Sequence, residues 1–64
     1  VSKQDLIDKL TELYILAEQA ASEADAISSQ QHEAHAAETL RSISKGSLAL
    51  SDRARAMAQA VDRL

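Results

Sequence analysis

Cysteine and proline are absent, and glycine and the aromatic residues number one each, Gly46 and Tyr14. Without cysteine there is no disulfide framework and no thiolate ligand for a structural metal. Without proline, and with a single glycine, nothing in the chain forces a break in a long helix. One glycine also leaves no phosphate-cradling loop of the glycine-rich kind. No apolar run approaches the roughly 20 residues that cross a bilayer, and no secretory pattern opens the chain. A soluble, cytoplasmic protein without a membrane segment is the expectation.

What is present is alanine, leucine, glutamate and glutamine, residues that lose little rotamer freedom in a helix. Sixty-four residues make one domain at most, taken as 1–64. A chain of this length buries only about 60% of the surface its unfolded form exposes. With no disulfide and no metal to brace it, oligomerisation is the remaining source of stability.

Two heptad stripes run along the chain. Leu6, Leu10, Leu13, Ala17, Ala20, Ala24 and Ile27 recur at alternating steps of four and three, with Ile7, Tyr14 and Ala21 widening the stripe on one flank. Ala36, Leu40, Ile43, Ser47, Leu50, Ala54, Met57, Val61 and Leu64 carry the same rhythm past Gly46 without loss of phase. This spacing is that of helices joined along an apolar seam. The two stripes are out of phase, so a turn falls between them. Ser2 with Asp5 forms a capping box at the start of helix 1. Ser28 with Gln31 is expected to cap helix 2.

The expected fold is therefore all-α: an antiparallel helical hairpin, with helix 1 over about 3–28 and helix 2 over about 31–64 running through Gly46. The alternative is a three-helix bundle broken at Gly46. A reversal at residue 30 sets the stripes face to face, pairing Leu6 with Ala54, Leu10 with Leu50, Leu13 with Ser47, Ala17 with Ile43, Ala20 with Leu40 and Ala24 with Ala36. Large meets small along most of that register, as a filled core requires. Gly46 would then be a notch for Leu13 or Tyr14. Helix 2 would overhang by roughly 10 Å at ~1.5 Å per residue, leaving Val61 and Leu64 uncovered.

The charge is uneven. Residues 1–39 carry eight acids and two lysines, whereas residues 40–64 carry Arg41, Lys45, Arg53, Arg55 and Arg63 against two acids, within an overall charge of −3. That mixture, on an acidic chain, lacks the concentrated basic footprint of a nucleic-acid binder. RNA or DNA binding stays open as an alternative function, because some hairpins that pair into four-helix bundles bind RNA on one face. His32 and His35 beside Glu33 and Glu38 make at most an open, weak metal site. No metal and no cofactor is expected. No base is spaced to activate a serine, so no enzyme is expected either.

The reading that remains is a protein–protein interaction module, a small regulator, adaptor or chaperone-like protein. It would act as a homodimer forming a four-helix bundle, or with another helical protein; a coiled-coil piece of a larger protein is the further alternative. The expected outer interface comprises Ile7, Tyr14 and Ala21 of helix 1, the small residues Gly46, Ala49, Ala56 and Ala60 of helix 2, and the overhanging Val61 and Leu64. Tyr14 would anchor it, since an aromatic ring with a polar tip suits a partly buried contact.

Overall fold

The computed structural model describes all residues 1–64. Two helices, α1 (Lys3–Ser28) and α2 (Ala34–Asp62), pack side by side as an antiparallel hairpin, a rod with extents of 48 × 13 × 13 Å. Neither helix is long and apolar enough to cross a membrane.

α1 begins as the sequence dictates. Ser2 Oγ accepts from the Asp5 amide and the Asp5 carboxylate accepts from the Ser2 amide, both at 3.1 Å, so two amides of the first turn are satisfied reciprocally. The start of α2 differs from expectation by three residues. Ser28 does not cap it; buried at the end of α1, Ser28 turns its hydroxyl back to the Asp25 carbonyl at 2.7 Å. Glu33 is the cap instead, its carboxylate accepting from the amides of His35 at 3.0 Å and Ala36 at 2.8 Å. A negative charge there also suits the positive end of the helix dipole. The reversal needs no left-handed residue, because no backbone φ is positive. Ser29 continues the right-handed helical conformation, and Glu33 is extended.

α2 runs unbroken through Gly46, which overturns the three-helix alternative. A Cβ built at Gly46 would meet nothing within 4 Å, so Gly46 is not a notch for Leu13 or Tyr14. Helix continuity tolerates one glycine because the cost, about 1 kcal/mol, is small beside the packing of a 29-residue helix.

The contact between the helices shares Leu10, Ala17 and Ala24 on α1 and Leu40, Ser47, Ala54 and Val61 on α2 with the expected stripe, and moves one residue onward at the positions between them. Its buried members are Ala17, Ala21, Ala24 and Ser28 on α1, and Ala37, Ser51, Ala54 and Ala58 on α2. Half-buried Ile7, Leu10 and Tyr14 extend the first strip; Leu40, Ser44, Ser47 and Val61 complete the second. Each strip keeps the three-four spacing. The register also differs. A reversal at residue 30 would set Glu18 beside Ser42, whereas Glu18 accepts from Ser51 Oγ at 3.2 Å and pairs with Arg55. Arg55 also lies over the Tyr14 ring, 5.0 Å from its centroid. The helices thus slide by more than two turns relative to the expected pairing. At the open end Lys3 Nζ donates to the Leu64 carbonyl at 3.1 Å, so α2 has no overhang there.

Side-chain size accounts for the choice of seam. Alanine and serine let two helix backbones approach closely, and their short side chains leave little to interdigitate. Each buried alanine methyl contributes about 0.8 kcal/mol. The larger members of the strips, Ile7, Leu10, Leu40 and Val61, lie toward their ends and are only half-buried. The larger side chains flank the contact without filling it.

Candidate interaction surface

Most of the large apolar side chains of this protein lie outside the contact between its helices. On α1 Leu6, Leu13, Ala20 and Ile27 stand in one column at steps of seven, and Ile43, Leu50 and Met57 on α2 form another that Leu64 continues just past the end of the helix. All eight are exposed, and the seven large ones leave from 38% (Leu13) to 89% (Leu64) of their surface uncovered. Each member of both columns immediately precedes a residue of the buried strip, or the place where that strip would continue.

In an antiparallel pair, residues that precede the seam on either helix meet on one side, and residues that follow it meet on the other. Glu18 and Arg55 follow Ala17 and Ala54, and their ion pair marks the second side. The first side therefore holds both apolar columns. Leu6 and Leu64 line a common cleft with Val61 and Val1 at the open end of the hairpin. Counting sevens along both helices from that pair sets Leu13 level with Met57, Ala20 with Leu50 and Ile27 with Ile43. The result is four rungs of apolar side chains along one face of the rod.

With Lys3, Asp5, Asp8, Lys9 and Glu12 around the cleft at the open end, charged residues border the face. Its edge on α1 carries Lys9, Leu16 and Glu23, and its edge on α2 carries Thr39, Gly46, Arg53 and Ala60. The opposite side is more polar, with Ile15 and Leu48 its exposed large apolar residues. Ser51 is 1% exposed, and its hydroxyl finds the Glu18 carboxylate; no buried side-chain polar atom lacks a partner. Arg55, drawn into this cluster by Glu18 and Tyr14, is a less free cation than the sequence suggests.

The expected interface residues separate into three groups. Ala21 is 2% exposed, and with half-buried Ile7 and Tyr14 it belongs to the contact between α1 and α2. Val61 is half-buried at the end of that contact. Ala49 and Ala56 are exposed on the outer flank of α2, and Ala60 and Gly46, the latter beside open space, stand on the edge of the apolar face. Leu64 alone of the nine stands in an apolar column. The heptad spacing assigns Leu6, Leu13, Ile27, Ile43, Leu50 and Met57 to the inside of the hairpin, and the structure places them outside it. The signal that separates the two strips is size: Ala17, Ala21 and Ala24 on α1 and Ser51, Ala54 and Ala58 on α2 form small-residue lines of equal length, suited to each other.

No three His, Asp or Glu side chains gather to hold a metal ion, and Glu33, the acid between the two histidines, is engaged as the cap of α2. Comparison of the chain with protein-family models, with curated proteins and with solved structures gave no match in any of the three. The functional reading rests on the surface of the hairpin itself.

Proposed function

We propose that this protein is a non-enzymatic interaction module that works by self-association, two hairpins closing face to face into a four-helix bundle. The observation that carries this reading is the placement of both large apolar columns on one side of the rod. Monomeric soluble proteins rarely expose a contiguous apolar patch beyond a few hundred Å². The rod in projection, 48 Å long and 13 Å across, offers a contact face on the order of 600 Å² with its polar edges included, close to the ~800 Å² per partner of a stable interface.

Energetics favour the same reading. The hairpin buries alanine and serine, which contribute little each, while leucines, isoleucines and a methionine stay half in water. Covering one such side chain fully is worth about 1 kcal/mol beyond its present burial. A helical bundle presenting its outer surface fits a small regulator, adaptor or chaperone-like role.

Light scattering of the purified chain, with and without Leu50→Asp, tests the proposal. A dimer that the substitution converts to monomer is the expected result; a wild-type chain that stays monomeric and fully helical at high concentration would sink it.

A further inference from the structure

Two hairpins can meet through this face with either of two twofold axes. An axis along the helices sets α1 on α2 of the second copy, with both turns at one end. An axis across the helices sets α1 on α1 and α2 on α2, with the turns at opposite ends. We infer that the occupant of the apolar face is a second copy related by the crosswise axis, which passes beside Leu16 and Arg53. The inference rests on the self-association proposed above and goes further by fixing its geometry.

Charge at the edge of the face is the first reason. Lys9, Leu16 and Glu23 lie on one edge of α1 at steps of seven. Reversing α1 about Leu16 brings Lys9 beside Glu23 of the copy and Leu16 beside itself, so two opposite-charge pairs form for each dimer. The lengthwise axis instead sets Lys9 beside Ala60 of the copy, Leu16 beside Arg53 and Glu23 beside Gly46. That arrangement pairs no opposite charges along this edge.

Size is the second reason. Under the crosswise axis Leu6 meets Ala24 of the copy, Leu10 meets Ala20 and Leu13 meets Ala17. On α2 the same axis gives Leu50 against Ala54 and Met57 against Ser47. Large meets small at these five levels, and large sits on large only toward the ends of α2, where Ile43 faces Val61 and Leu40 faces Leu64 of the copy. The lengthwise axis sets Leu10 against Met57 and Ile27 against Leu40, and leaves Ala20 against Ser47. Large meets small at three levels there, where Leu13 faces Ala54, Ala17 faces Leu50 and Ala24 faces Ile43, against five under the crosswise axis.

The two halves of the crosswise arrangement also agree on where the axis lies. The hairpin register that joins Ser51 to Glu18 puts Arg53 level with Leu16. One axis through that level reverses both helices, and on α2 it brings Gly46 beside Ala60 of the copy, two small residues suited to close approach. Arg53 faces its own copy there, the one repulsive contact; its long side chain reaches solvent from the edge of the face.

The absence of cysteine allows a direct test. Leu16→Cys and Arg53→Cys, each alone under mild copper-phenanthroline oxidation, should give disulfide-linked dimers, since both positions lie on the axis and Leu16 is already 62% exposed. Lys9→Glu and Glu23→Lys should each weaken self-association roughly threefold to tenfold by sedimentation, and the double exchange should restore it. Disulfides that appear only when the two cysteine variants are mixed would overturn the crosswise axis and leave self-association standing. A dimer that forms no disulfide in any of these combinations would overturn the face as the interface. A wild-type chain that is monomeric, including one that binds an unrelated helical protein instead, would overturn both proposals.

Discussion

Glu18 of α1 and Ser51 of α2 are joined by a 3.2 Å hydrogen bond across the hairpin, and the serine is 1% exposed. This contact fixes the register, because a slip of one turn would bury the Ser51 hydroxyl without its acceptor. Glu18→Ala should therefore cost about 1 kcal/mol in urea unfolding, the penalty of an orphaned buried hydroxyl. Glu18→Gln keeps an acceptor for Ser51 and loses only the ion pair with Arg55. Both partners of that pair are nearly half exposed, so this variant should lose less than about 0.5 kcal/mol. Equal losses in the two variants would show that the ion pair, and not the buried serine, holds the helices in place.

Ala54 has no exposed surface. Enlarging it should force the backbones apart, and Ala54→Leu is expected to destabilise by about 1–3 kcal/mol through overpacking. Ala20→Leu, on the exposed column of α1, is the matched control and should leave the thermal melt of the hairpin nearly unchanged at concentrations where the chain is monomeric. Destabilisation by both substitutions would restore the seam that the heptads alone suggest, in which Ala20 and Ala54 both face inward.

Gly46 lies in mid-helix, and a methyl group placed on its Cα would have nothing within 4 Å. Gly46→Ala should raise stability by about 0.5–1 kcal/mol, since alanine removes backbone freedom from the unfolded chain and meets no obstacle in the folded one. Thermal unfolding followed by circular dichroism is the measurement, and a lowered midpoint would mean that the glycine is in close contact after all.

Glu33 satisfies two amides at the start of α2. Glu33→Ala should fray that end and cost about 1 kcal/mol, the usual effect of losing an N-cap. Amide exchange at His35 and Ala36 should accelerate, while exchange at the far end of α2 stays slow. Uniform acceleration along α2 would point to loss of the whole hairpin instead.

Much of the fold is legible in the residues. Ser2 and Asp5 announce the start of α1, and the missing proline and single glycine allow both helices their length. The phase change after Ile27 places the turn. Its details are not legible, because Ser28, Ser29 and Glu33 can each cap a helix end, and only the positions of both helices show which amides and carbonyls are left over. The interaction surface reads inside out for a related reason. Leu6, Leu13 and Ile27 flank Ile7, Tyr14 and Ser28 by one position, and both lines have the heptad period.

The sequence by itself determined an all-helical hairpin, since propensity, capping and periodicity are local properties and agree along both halves of the chain. Only the tertiary structure decided which strip faces inward. Two helices alone share a single line of contact, and the small residues Ala17, Ala21, Ala24, Ser51, Ala54 and Ala58 allow the closer approach there. Leu50 and Met57, prominent in the stripe from Ala36 to Leu64, are thereby left on the outside of the rod.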